Sequence, residues 1–119
     1  MKQLTVLDAH VLEALRMLTG PGESDVLIEV LCLFRDDAPA RVSAIVTAWR
    51  ADDAHGVMAA AHSLKGAASS LGADGLQRAC SDIEAAAKTG DLAAIGRLID
   101  DLEEQAANVE RDIAEVLRD

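Results

Sequence analysis

Between its glycine and proline positions the chain repeats apolar residues at helical spacing, and no segment alternates apolar with polar residues as a strand would. Five helices are predicted. The first starts near Asp8, a good N-cap, carries Val11, Leu12, Leu15 and Leu18 on one stripe, and stops at Gly20-Pro21-Gly22. Ser24 is placed to cap the second, in which Leu27, Val30, Leu31, Phe34, Ala38, Val42, Ile45 and Trp49 hold one phase straight through Pro39. That continuity predicts one long helix, kinked where Pro39 forfeits its bond to the Arg35 carbonyl, with a break into two as the alternative. Asp52 and Asp53 mark a tight connection into a third helix, Asp53 to Leu71, with Gly72 just beyond its end. A fourth runs from about Ala73 to Thr89, turning Leu76, Ala79, Cys80, Ile83 and Ala87 inward, and Gly90 ends it. Asp91 caps a last helix whose Leu92, Ile95, Ile99, Leu102, Ala106, Val109, Ile113 and Val116 keep nearly heptad spacing. Short connections force antiparallel neighbours. The expected fold is all-α, an antiparallel up-and-down four-helix bundle with an additional short N-terminal helix laid against it. The last stripe would also suit a coiled-coil seam to a second copy, but the stripes of the other helices need covering, which favours its use within the chain.

Length and composition narrow the function classes. Residues 1–119 suffice for one domain and are too few for two cores. Half the residues are hydrophobic but only 2% aromatic, so the core is built from Leu, Ile, Val and much Ala. Eleven Lys and Arg against 21 Asp and Glu give a net charge of −10, which repels phosphate backbones and anionic lipid, so neither nucleic acid nor a membrane is an expected partner. No apolar run approaches the ~20 residues of a membrane span, and Asp8, His10 and Glu13 interrupt what would be a signal-peptide core. Cys32 and Cys80 form neither a disulfide framework nor a metal-knuckle spacing. A soluble, cytoplasmic chain read from Met1 is expected, and nothing demands more than a monomer.

The third helix carries the candidate chemistry. At ~100° per residue, Val57, Leu64 and Leu71 lie almost in line, with Ala60, Ala61, Ala67 and Ala68 beside them, so that stripe is the buried face. His62, two residues before Leu64, points ~160° away from it, into solvent. Lys65 and Gly66 share its face, as do His55 and Ser69 one heptad either side. A solvated imidazole has a reference pKa of about 6.5, so near neutral pH it offers a free nitrogen as a nucleophile for a phosphoryl group. Lys65 sets a hydrated point charge one turn away, where it offsets the negative charge of a phosphorylated imidazole. The other lysines are Lys2 and Lys88. Gly66 sits mid-helix, where glycine costs ~1 kcal/mol relative to alanine, and room for a large partner at His62 compensates for that cost. Ser69, also small, extends the clearance.

The run His62-x-Leu64-Lys65-Gly66, with Gly72 ten positions after the histidine and then Leu76, Cys80 and the pair Ile83-Glu84, resembles the histidine-containing phosphotransfer (HPt) domain of multistep two-component phosphorelays. The flanking helices agree in order and length over essentially the whole chain. The resemblance implies that His62 accepts a phosphoryl group from a receiver-domain aspartate and passes it to an aspartate of another. It also implies that the partners are receiver domains of a hybrid histidine kinase and of response regulators, that Lys65 supports the phosphohistidine, and that Gly66 clears the docking surface. Docking would add apolar residues from neighbouring helices to the face around His62. Some members of the family carry Gln at the place of Glu84, where it helps orient the histidine side; with an acid here, Glu84 is assigned no phosphate contact. Phosphoryl transfer needs in-line positioning and charge neutralisation, usually by a metal ion, and this chain shows neither a nucleotide loop nor an acidic metal pocket. A carrier is therefore expected, without kinase activity or a cofactor of its own, with Mg²⁺ supplied by the partner receiver.

Blander readings stand beside these. A lone exposed histidine is usually plain surface, and it is the Lys65 and Gly66 context that singles out His62. His55 and His62 lack a third ligand at helical spacing, so no metal site is expected. Cys80 falls in an inward phase and Cys32 at a stripe's edge, neither with a redox role; Trp49 and Phe34 are assigned to the core, and Asp100, Asp101, Glu103 and Glu104 to a solvated face. The alternative function is a non-catalytic helical adaptor that binds signalling domains without phosphoryl transfer. A third reading is the phosphorylated domain of a chemotaxis-type kinase.

Overall fold

The helix ends are set by a small number of polar caps and glycines, as seen in a computed structural model that describes residues 4–118. Asp8 accepts from the amides of His10 and Val11 (2.8 and 3.4 Å) and opens α1, Ala9–Arg16. The second cap is Asp25, not Ser24: its carboxylate accepts from Leu27 and Ile28 (2.9 and 3.4 Å) and opens α2, Val26–Arg50. An ionised cap gains from the helix dipole as well as from the hydrogen bonds, which is why the chain starts the helix one residue later than Ser24 would. Asp53 caps α3, Ala54–Ser70, through the Gly56 amide at 2.9 Å. Asp91 accepts from Ala94 at 3.0 Å at the start of α5, Leu92–Arg118. Helix α4, Asp74–Lys88, has no side-chain cap.

Glycines close two of these helices. Gly72 takes φ +65°, donates its own amide to Ser69 O, and lets the Ala73 amide reach Ala68 O (3.0 Å), while Gly90 does the same at the end of α4. Both are Schellman closures, which need a residue tolerant of the left-handed region. The N-terminal helix is shorter than its apolar spacing predicts. After Arg16 the backbone tightens, with Leu18 N bonding Leu15 O, and Leu18 leaves the stripe to stand 69% exposed. Pro39, by contrast, lies inside an unbroken 25-residue helix.

Sequence neighbours pack as neighbours in space. Helix α2 lies on α3, α3 on α4 and α4 on α5, and α2 also meets α5 to close the ring; α1 packs on α2. The result is an up-and-down four-helix rod, with overall extents 49 × 24 × 19 Å, and no strand among the described residues. Leu27, Leu31 and Ile45 of α2, Val57, Ala61, Leu64 and Ala68 of α3, Leu76, Cys80 and Ile83 of α4, and Ile95, Leu102, Val109 and Ile113 of α5 are buried on its axis. The heptad-like stripe of α5 is thus consumed within the chain. Trp49, the largest side chain, is only half-buried: its indole N–H donates to Leu92 O at 2.8 Å and ties the far end of α2 to α5. Among the described residues no helix is long and apolar enough to cross a membrane.

Candidate functional site

The inner stripe of α3 fixes the direction of everything on its outer face. With Val57, Ala61, Leu64, Ala68 and Leu71 fully buried, His62 is carried outward, and its side chain is 71% exposed. Gly66 lies one turn on. A Cβ built there meets nothing within 4 Å, so no internal contact demands a glycine and the open space lies on the outside of the molecule. His55 and Ser69 share this exposed face at its two ends, but among the described residues neither side chain makes a hydrogen bond, so they flank the constellation without joining it. Ser70 bonds back to Gly66 O at 3.2 Å.

Two neighbouring helices complete the site. From α4, Glu84 reaches His62 with Oε2, 3.2 Å from Nδ1, and Lys65 with Oε1, 2.6 Å from Nζ. The sequence gives Glu84 no phosphate contact; in the fold it is the group that ties the two candidate residues together. Its side chain is 21% exposed and that of Lys65 29%, so the pair is half-buried beside an exposed imidazole. Lys65, more than His62, holds the Glu84 carboxyl below the usual carboxylate range against the opposing effect of burial. An ionised Glu84 is an acceptor only. Nδ1, 3.2 Å from it, is then the donor of the pair, which leaves Nε2 as the nitrogen that carries the lone pair when the ring is neutral. One turn before Glu84 on the same helix, Cys80 is fully buried, and burial, with some help from Glu84 and against Lys65, pushes its thiol up to about 12. It stays protonated and unreactive, as expected of a small core residue.

From α2, Arg41 contacts the Ser63 hydroxyl beside His62 and approaches Asp37 at 4.0 Å. It also ends an open apolar groove along the α1, α2 and α3 seam, lined by Leu15, Phe34, Ala38, Arg41, Ala67 and Ser70. Leu33, 62% exposed, stands on the same groove. Neither Arg41 nor the pairing of Glu84 stands out in the sequence. The available signal was small: both flank the inward stripe of their own helix, Arg41 beside Val42 and Glu84 beside Ile83. Among the described residues no three His, Cys, Asp or Glu side chains converge to hold a metal ion.

The arrangement is one accessible imidazole nitrogen, a neighbouring ammonium, and bare backbone next to both. The family model described as Hpt domain matches residues 29–112. The crystal structure of histidine-containing phosphotransfer protein B (HptB) from Pseudomonas aeruginosa PAO1 superposes with a TM-score of 0.85 at 30% identity, covering 92% of each chain. None of the curated proteins matches the sequence. With the family model spanning α2 to α5 and a solved phosphotransfer protein sharing nearly the whole bundle, this chain belongs to the family of histidine-containing phosphotransfer (Hpt) domains.

Proposed function

We propose that this protein is a phosphorelay intermediate that accepts a phosphoryl group on Nε2 of His62 from the aspartyl phosphate of one receiver domain and delivers it to an aspartate of another. The observation that carries this reading is the Nδ1 contact to Glu84, because it leaves Nε2 as the outward nucleophile. In the forward step the Nε2 lone pair forms the N–P bond as the aspartyl O–P bond breaks, and the electron pair of that bond returns to the receiver's carboxylate. The Nδ1 proton remains between the ring and Glu84. Delivery to the second receiver is the reverse reaction at a new carboxylate.

Lys65 is the reserve countercharge. In the unphosphorylated protein its ammonium is occupied by Glu84 at 2.6 Å. A phosphoryl group on Nε2 brings further acceptor oxygens within one helical turn, and the lysine's flexible stem lets it turn toward them. The acidic pocket and its Mg²⁺ belong to the receiver, which also supplies in-line geometry; this chain presents the nucleophile and has no kinase activity of its own. The receiver docks over Gly66 and the groove ending at Arg41. Kinase and response-regulator receivers take turns on this one surface, because there is one histidine to serve.

The test is direct. A phosphorylated receiver is mixed with the protein and label is followed: acid-labile, base-stable transfer that disappears in His62→Gln supports the relay. Receiver binding that ignores His62→Gln, with no label transferred by the unsubstituted protein, would show an adaptor instead.

A further inference from the structure

Asp112 is the one charged side chain buried in the bundle among the described residues, 2% exposed on the inner side of α5, and the phosphotransfer chemistry does not use it. Its carboxylate is fully employed. Oδ2 accepts from the amides of Val6 (2.8 Å) and Leu7 (2.9 Å), and both oxygens accept from the Thr5 amide at 3.0 Å, with the Thr5 hydroxyl adding a fourth donor at 3.0 Å. Successive amides aimed at one anion form a backbone nest, and an anion that sits in one cannot be released without moving the chain.

The clamped segment leads straight into α1. Leu7 is buried, Asp8 caps the helix, and eight residues are too few to hold a helix without tertiary support. That support comes from three places: the Asp112 clamp below, Leu12 buried against the core, and Gly72, whose missing Cβ would lie 2.9 Å from Asp8 Cβ and Val11 Cγ2. So held, α1 contributes Leu15 to the groove whose other walls are Phe34, Ala38, Ala67 and Ser70, and which ends at Arg41 beside Ser63 and His62. The family match begins at residue 29, so α1 and the clamped segment lie outside it while Asp112 is its last residue.

We infer that Asp112 is a positioning residue for receiver docking: by fastening residues 5–7 to α5 it fixes α1 as the third wall of the groove next to His62. The inference rests on the phosphotransfer reading above. It acts on docking and leaves the histidine chemistry untouched.

The experiment uses the full chain and Asp112→Asn, with three readouts. Hydrogen exchange at the Thr5, Val6 and Leu7 amides accelerates. Transfer from a phosphorylated receiver shows a rise in KM of about tenfold, equivalent to ~1.4 kcal/mol, at unchanged kcat. Phosphorylation of His62 by phosphoramidate, a donor too small to need the groove, keeps its rate. Leu15→Ala raises KM in the unsubstituted protein and adds nothing in the Asp112→Asn background, because the wall it belongs to has already left. An unchanged KM in Asp112→Asn, or a Leu15→Ala effect that persists in full in that background, overturns the inference while leaving phosphotransfer intact. If Asp112→Asn loses helix content, Thr5→Val removes only the hydroxyl donor, and the same KM shift at smaller size is required of it; no shift overturns the proposal. Failure of every receiver to load the unsubstituted protein would instead sink the phosphotransfer reading, and the exchange measurement would still report on the clamp.

Discussion

Asp112 and Glu84 are both carboxylates held below their usual range, but by partners of opposite kinds. Burial pushes Asp112 up, and the amides of Val6, Leu7 and Thr5 together with the Thr5 hydroxyl outweigh it. Three of those four donors are backbone amides and cannot turn away. Glu84 is held by Lys65 and by His62, two side chains that can be redirected without moving a helix. One carboxylate fastens the chain, and the other holds a charge ready for reassignment. A phosphotransfer site needs the second kind beside the nucleophile and the first kind well away from it, since the ammonium must change partners each time the phosphoryl group arrives or leaves.

Stability should separate the two most strongly. Asp112→Ala strands a set of inward-facing amides and is expected to cost about 3 kcal/mol in urea unfolding, whereas Glu84→Ala, at the protein edge, should cost under ~1 kcal/mol. Equal losses would erase the distinction. Acid sharpens it: because the folded value of Asp112 lies below its ordinary 3.8, its contribution is complete above that pH and is lost as pH falls through the folded value. Unfolding followed into the acid range should therefore show a decline that Asp112→Asn flattens.

Function should reverse the ranking. Glu84→Ala removes the acceptor that keeps the proton on Nδ1, and loading of His62 should slow about tenfold, or ~1.4 kcal/mol in barrier, with the fold intact by circular dichroism. Glu84→Gln keeps a carbonyl acceptor for Nδ1–H but releases Lys65 from its ion pair. It should load nearly as fast as the unsubstituted protein and hold the phosphohistidine longer, measured by decay of label. If Gln is as slow as Ala, the charge of Glu84 and not its hold on the ring is what matters.

What the sequence made legible follows the same divide between local and distant partners. The inner stripe of α3, the outward direction of His62 and the open Gly66 follow from helix geometry within one turn or two, and all three are present. Small local errors arose where neighbouring residues compete, as with Ser24 and Asp25, or where a short helix ends early, as at Leu18. The contacts that turn a surface histidine into a constellation are not local. Glu84 lies 22 positions from His62, Arg41 lies 22 from Ser63, and Asp112 lies 107 from Thr5. Helical phase marks such residues as polar flanks of a stripe, but the rotation of each helix against its neighbour decides whom they meet. An inward aspartate such as Asp112 even reads as a break in its own apolar pattern, because its donors come from the other end of the chain.

Gly66 offers the smallest and cleanest contrast, since here stability and function should move in opposite directions. A methyl group at this position touches nothing within 4 Å, and alanine is the better helix former by about 1 kcal/mol, so Gly66→Ala should raise the unfolding free energy by roughly that amount. The same methyl stands in the space between His62 and an incoming receiver. Transfer from a phosphorylated receiver should slow, while loading by phosphoramidate, which approaches without a protein surface behind it, should not. A Gly66→Ala protein that is more stable and still transfers at the original rate would mean that the receiver comes in from the α4 side, over Lys65 and Glu84, and that the bare backbone of α3 is not what it docks against.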